Sequence, residues 1–337
     1  MKNEKLQYSP EHIAKALSRA RTGGTCWISL CGVGETMAQH EIVPLVKCLL
    51  QEGHFVNITT NGTLSAKYDA LIEACGEWIE HLHLSFSFHY VELAQRGWID
   101  RFFENVQKMK IAGASILVQF NLCDEYIPHL DTIKTLCVEK AGALPQVALT
   151  RNERTKPIGI MTEKTAEEYY QIGKQFDSPL FDFTCRNFQV QRREYCYAGE
   201  WSGVLDMKTG ILKKCYAEPG GVNIFENLEK QIPFEAVGFG CKSEYCINSS
   251  HFMSLGVIPT LNTPTYAELR NRESAKWYSE EMDAFLSGKL IHSNKKHNLI
   301  KKLRNILYKT RSVGLREQLS QYTFYQKLHE LKVKLRG

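Results

Sequence analysis

The sequence predicts an α/β fold in which short parallel strands alternate with helices and curl into part of a (β/α) barrel. Three observations carry this. Short, largely apolar runs recur at about 26–31, 55–60, 82–88, 115–122 and 145–150. Between them lie segments with apolar residues at three- and four-residue spacing, the mark of one-sided helices. The joints are only a few residues long, and right-handed crossovers repeated in one sense bend a sheet towards a barrel. An open doubly wound sheet is the alternative that the same rhythm allows.

A first helix is predicted over 8–22, with Ser9 and Pro10 as cap and first position and Ile13, Ala14, Leu17 and Ala20 on one face. Cys26-Trp-Ile-Ser-Leu-Cys31 reads as a strand, and Gly32 to Glu35 as its turn. A helix then sets Ile42, Val43, Val46, Leu49 and Leu50 inward and is closed by Gly53. Phe-Val-Asn-Ile-Thr-Thr-Asn-Gly at 55–62 is the next strand and its end. Both strands read as apolar enough to be buried on both faces of a parallel sheet. A helix over 64–80 places Tyr68, Leu71, Ile72 and Cys75 inward, and strand 82–88 ends at His89. Helix 98–111 is closed by Gly113; strand 115–122, helix 127–140, strand 145–150 and helix 165–176 complete the rhythm. Ligands of parallel α/β folds bind at the carboxyl ends of the strands, where this chain puts its polar turns.

Two of those turns are chemically informative. Gly32 and Gly34 lack a Cβ, so a ligand can lie against the backbone, and Glu35 adds a carboxylate able to receive an ammonium group. Alone, Gly-x-Gly-Glu also suits a turn that opens a helix with an acid in its first turn. Together with Thr59-Thr60-Asn61-Gly62 it resembles the radical S-adenosylmethionine (SAM) enzymes. In that family a Gly-Gly-Glu-like motif ends the second strand, and a Thr-Thr-Asn-Gly segment often ends the third. The resemblance implies that Glu35 and the backbone from Gly32 to Gly34 hold the methionine end of SAM, with Thr59, Thr60 and Asn61 in the same site. It also implies that Ser85 and Asn121 reach the SAM carboxylate or ribose. The barrel expected from it is a partial (β/α)6 TIM-like barrel.

The family pattern includes Cys-x3-Cys-x2-Cys after the first strand, three thiolates that bind a [4Fe–4S] cluster. No such triplet occurs here. A helix stands where that strand is expected, so the reading is of a chain supplied without its native amino-terminal segment, or of a degenerate member. Cys26 and Cys31 have the wrong spacing for cluster ligands and are expected in the core.

Beyond the barrel rhythm, 180–191 is aromatic and polar. Segments 201–206 and 211–216 form a predicted hairpin, with Gly210 at its positive-φ position. Cysteines frame it: Cys196, thirteen residues, Gly210, four residues, Cys215, and then Cys241 and Cys246. C-x13-G-x4-C resembles the opening of SPASM and twitch domains, and the resemblance implies an auxiliary [4Fe–4S] cluster on Cys196, Cys215, Cys241 and Cys246, with Cys185 a possible substitute ligand. Four thiolates suit structural zinc equally, and four buried thiols need no metal at all. His89 and His251 are read as hydrogen-bonded histidines without a catalytic role.

At 337 residues and 43% hydrophobic content, the chain can bury a sizeable core and more than one domain. No run of 18 apolar residues occurs, so no membrane-spanning helix is expected. Eleven cysteines in a chain of this size point to a reducing, cytoplasmic setting. The net charge of +5 hides an asymmetry: from Lys289 onward 13 Lys and Arg face two acids. In that tail Leu299, Ile300, Leu303, Ile306 and Leu307 form an apolar stripe among basic residues. Such a helix packs on its own domain, or lies on an anionic membrane surface or against nucleic acid. The expected division is barrel 1–160, linker 161–182, cysteine domain 183–260 and basic helical tail 261–337. The expected activity is hydrogen abstraction from a peptide or small-molecule substrate, served by an electron donor such as flavodoxin or ferredoxin, with no nucleic acid partner. The competing expectation is a non-catalytic protein that keeps the half-barrel and a four-cysteine metal module.

Overall fold

The computed structural model describes residues 5–32, 34–239 and 241–294. Helix α1 (Pro10–Ala16) begins behind Ser9, whose hydroxyl accepts the His12 N–H. The helix expected to reach residue 22 instead breaks at Leu17 and Ser18 and resumes as α2 (Arg19–Thr22). The reason lies far along the chain: the Leu17 carbonyl is taken by the His54 ring at 2.7 Å, and Ser18, outside helical geometry, turns the chain. Then follow β1 (Trp27–Leu30), α3 (Ile42–Gln51), β2 (Phe55–Thr60), α4 (Ser65–Cys75), β3 (Leu82–Ser87), α5 (Tyr90–Arg96), α6 (Ile99–Ile111), β4 (Ser115–Leu122), α7 (Leu130–Ala141) and β5 (Gln146–Leu149). Two expected helices are shortened by 3-10 turns at Gly76–His81 and Asp124–His129, the second containing Pro128, which has no N–H to give.

The five strands are all parallel and pair in the order β1-β2-β3-β4-β5. A doubly wound sheet reverses its order at a switch point. This one never reverses, so it is an open half-barrel of the (β/α) type. Register separates its two faces. Leu30, Ile58, Leu84 and Ile116 align on one, with Phe86 and Val118, Phe120 and Val147, and Leu122 and Leu149 beside them. That face is buried with Leu45, Val46 and Leu49 of α3, Tyr68 and Leu71 of α4, and Phe102 and Val106 of α6. Each such fully buried aliphatic side chain contributes about 1.5–3 kcal/mol.

The other face departs from expectation. It carries Ser29, Asn57 and His83 in one row, Thr59 and Ser85 in the next, then Ser87, Gln119 and Gln146, and lastly Asn121. Along β3 and β4 burial on this face falls towards the carboxyl ends, where Ser85 and Ser87 are half-buried and Asn121 is exposed. The strands are therefore apolar on the helix side and polar on the concave side.

After β5, an unforeseen ribbon pairs β6 (Arg151–Asn152) with β7 (Gly159–Ile160). Helix α8 (Ala166–Lys174) starts at a capping box of Thr165 and Glu168. The aromatic and polar stretch after it is a helix too, α9 (Pro179–Asn187). Its cap, Ser178, accepts the Val147 N–H at 3.0 Å and donates to Gln146 Oε1 at 2.6 Å, fastening the helix to β5. The predicted hairpin is present as β8 (Val204–Leu205) and β9 (Ile211–Lys213), with a third strand, β10 (Val222–Asn223), added to it. Gly210 has φ +77, and a Cβ there would meet Asn223 Oδ1 at 2.6 Å. Helices α10 (Ser249–Leu255), α11 (Tyr266–Arg270), α12 (Glu280–Leu286) and α13 (Leu290–Ser293) close the described chain. Trp277 accepts the Ile116 N–H at 2.7 Å, and Arg272 donates to the carbonyls of Leu144, Pro145, Phe176 and Asp177. These contacts set α11 and α12 under the amino ends of the strands. The apolar stripe expected at 299–307 lies outside the described residues.

Candidate functional site

Opposite that base, at the carboxyl ends of the strands, the turns after β1 and β2 are joined by one side chain. Glu35 Oε1 accepts the Met37 N–H at 2.8 Å and the Thr60 hydroxyl at 2.7 Å, while Oε2 accepts the Asn61 N–H at 2.7 Å. Glu35 is thus an N-cap and a bridge between two rim loops, half-buried and fixed in place. Gly34 has φ +97, and a Cβ on Gly32 would come no nearer than 3.8 Å to any atom, so the backbone beside the carboxylate is open.

Thr60 lies on the helix side of the sheet, 3% exposed. Since a carboxylate only accepts, Thr60 donates to Glu35; it therefore accepts from the Tyr68 hydroxyl at 2.8 Å and from the Gly62 N–H at 3.2 Å. Burial pushes the Tyr68 hydroxyl far up, so it remains a neutral donor. Gly62 in turn gives its carbonyl to Asn105 at 2.8 Å. Asn61 Oδ1 accepts from the Thr63 hydroxyl and N–H. Of the residues expected to touch a ligand, Thr60 thus lies on the side away from the concave surface, whereas Thr59, Ser85 and Asn121 share that surface.

Sequence reading missed the polar column beneath them. Ser85 donates to Asn57 Oδ1 at 2.9 Å, His83 Nδ1 bonds the same oxygen at 2.7 Å, and Asn57 Nδ2 donates to Ser29 at 2.7 Å. The signal was there: polar residues at every second position of otherwise apolar strands.

The hairpin layer and the cysteines lie against the barrel. His12 Nε2 bonds the Phe225 carbonyl at 2.8 Å, and Arg21 donates to the carbonyls of Ile224, Asn227 and Lys230. Burial raises the Tyr216 hydroxyl with the Cys31 thiol as a further cause, which puts the turn after β9 beside the rim loop. Cys31 itself is exposed at the mouth rather than in the core, because β1 ends before it. Cys26 is half-buried.

Cys196, Cys215, Cys241 and Cys246 are neighbours. Burial first, then the three other thiols, pushes Cys246 up to about 12, and Cys215 is raised by burial and by Cys241. Cys196, Cys215 and Cys246 pack around a small core of Phe252, Met253, Val257 and Leu269. Cys185 is not among the thiols acting on Cys246; it is half-buried against the main core. Among the described residues, no group of three or more His, Cys, Asp or Glu side chains is arranged to hold a metal ion. The donors thus have the right chemistry for a soft metal without forming a ligating set. No described helix is long and apolar enough to cross a membrane.

Fold and site together define an open, all-parallel half-barrel protein with a polar concave face and an acid-stapled rim. No protein-family model and no curated protein sequence matches the chain. Among solved structures it is similar to Streptococcus suis SuiB, at 14% identity and a TM-score of 0.47 over 67% of this chain and 60% of that one. The structure of SuiB bound to S-adenosylmethionine gives 14% and 0.48 over 68% and 60%. The protein anSMEcpe with bound AdoMet and Cp18Cys peptide gives 12% and 0.43 over 90% and 89%. The chain spans about 60% of the length of SuiB.

Proposed function

We propose that the rim of the half-barrel binds the amino-acid end of S-adenosylmethionine, and that the protein is a radical SAM-type enzyme acting on a peptide or small molecule. The Glu35 carboxylate carries this reading: it is immobilised at the ends of β1 and β2, beside open glycine backbone. An ammonium group suits that carboxylate, and the row of Thr59, Ser85 and Asn121 offers hydroxyl and amide partners for a carboxylate or ribose. When bound, SAM would supply hydrogen-abstraction chemistry through reductive cleavage, with a flavodoxin- or ferredoxin-like protein as electron donor; the cysteine triplet that binds the family's cluster does not occur in this sequence, and no step is routed through such a cluster. The residues of this chain bind and orient it.

In the same reading an auxiliary iron–sulfur cluster, with zinc as rival, belongs to Cys196, Cys215, Cys241 and Cys246. Their convergence supports it; as described they are not a ligating set, and no chemical step is assigned to them. Iron and zinc contents of protein purified without oxygen decide the matter, and retention of neither metal rules it out. A second reading, a non-catalytic SAM-binding protein, is favoured by the lack of a Cys-x3-Cys-x2-Cys triplet in the sequence.

Anaerobic calorimetric titration with SAM tests binding. The expected result is a saturable isotherm, weakened by about tenfold or more in Asn121→Ala and in Ser85→Ala, each of which leaves the Glu35 bridge intact. Absence of binding overturns the proposal. Assay of SAM cleavage then separates the enzyme from the binding protein.

A further inference from the structure

The base of the half-barrel holds a buried cation that pairs with no carboxylate of the described residues. Arg270 on α11 is 2% exposed. Its Nη2 donates to the Ser250 carbonyl at 2.9 Å, and its guanidinium lies 3.8 Å from the Tyr266 ring centroid. No described carboxylate forms an ion pair with it; the neighbouring Asp283 instead accepts from Asn271 Nδ2 at 2.8 Å. One carbonyl and one ring do not offset the desolvation of a guanidinium, which costs several kcal/mol even after relaxation.

Around it the rings interlock. Trp27 meets Tyr266 at 5.4 Å and His83 at 5.6 Å, His83 meets Tyr278 at 5.0 Å, and His251 meets Tyr266 at 5.5 Å. Four polar atoms of this cluster are buried with no hydrogen-bond partner among the described residues: Arg270 Nη1, the Tyr278 hydroxyl, His83 Nε2 and Trp27 Nε1. His83 Nδ1 must donate to Asn57 Oδ1, because that oxygen only accepts. Burial and the nearby Arg270 hold both His83 and His251 neutral, so neither balances the charge. Bridging water would satisfy the loose donors but leave the site cationic.

We infer that the cluster beneath the strands is an anion site, in which a small monovalent anion (a halide or formate) lies against Arg270 Nη1 and the Tyr278 hydroxyl. The site is separate from the rim and does not depend on SAM binding. The anion would fix α11 beneath the sheet and so hold the base of the barrel closed.

The test uses the full chain. Thermal unfolding is followed at constant ionic strength while sodium gluconate, a bulky organic anion, is replaced by chloride, bromide or formate. Binding to the folded state alone predicts a rise in Tm of about 3 °C or more at saturating anion. Arg270→Met abolishes the rise, and Tyr278→Phe, which keeps the packing, reduces it by at least half. In crystals grown with bromide, an anomalous peak beside Arg270 Nη1 is expected. No rise in the wild-type protein overturns the inference. So does an equal rise in Tyr278→Phe and Arg270→Met, or water at that position in the bromide crystals.

Discussion

The rim bridge separates two roles that a single substitution of Glu35 would confuse. Thr60 positions Glu35 from the side away from the concave face, and Tyr68 supports Thr60 without touching Glu35. In Tyr68→Phe, Thr60 keeps its bonds to Glu35 and Gly62, so the loss is one neutral hydrogen bond, about 1 kcal/mol. In Thr60→Val the shape is kept, but the Tyr68 O–H and the Gly62 N–H both lose their acceptor in a buried site. Glu35 also loses a charge-assisted bond. The expected cost is about 3 kcal/mol. The double variant removes the stranded Tyr68 hydroxyl and should cost about 2 kcal/mol, well below the sum of the single costs, which is the coupling expected for residues in one network. Urea unfolding measures these values. SAM titration supplies the second axis: Thr60→Val, which frees Glu35, should weaken binding about tenfold, whereas Tyr68→Phe should leave it within about twofold. If both variants weaken binding alike, or neither does, Glu35 is a structural bridge and no more, and the assignment of the rim is refuted.

Other outcomes follow from the same geometry. Gly62→Ala should destabilise by about 2–4 kcal/mol in urea, since φ is +77 and a Cβ would stand 2.5 Å from Phe102. His83 is held down to about 3 by burial, then by Arg270, against 6.5 when exposed. Below pH 6.5 the unfolded chain therefore takes a proton that the folded one refuses, and stability falls as pH drops towards 3. His83→Gln should flatten that slope by about 1.4 kcal/mol per pH unit, measured in halide-free buffer. Removal of residues 295–337 spares Lys289, which bonds the Ser254 and Pro264 carbonyls. It should abolish any binding to anionic liposomes; equal binding of the shortened chain assigns the contact to another surface.

Local pattern was enough for the helix–strand rhythm. The apolar periodicity that buries Leu45, Val46 and Leu49 is written into the ten consecutive residues of α3, and the caps Ser9 and Thr165 stand where short-range hydrogen bonding requires them. What failed depended on partners far along the chain. The break at Leu17 exists because His54 takes its carbonyl. Likewise α9, poor in helical pattern, is held by a cap that also binds β5. The rim was legible because its residues are adjacent in sequence to strand ends. The base was not: Trp27, His83 and the pair Arg270 and Tyr278 come from three segments far apart in the chain.

The two ends of the half-barrel are nonetheless parts of one polar system. From Ser85 at the open end, hydrogen bonds run through Asn57 to His83, and His83 lies against Tyr278 above α11. A parallel sheet closed by helices on both faces has no use for such a column, since its concave side would be filled by aliphatic side chains. Polar groups persist on this side because the sheet is open and its carboxyl ends face a space that only a polar ligand would fill. Keeping Asn57 and His83 buried below that space demands that each find a partner, and the column provides them. The arrangement orients Ser85 from beneath, much as Thr60 orients Glu35 from behind. The side chains offered to a ligand at the rim are therefore held by residues that never touch it, and placement of the ligand should respond to substitutions at Asn57 as it does to those at Thr60.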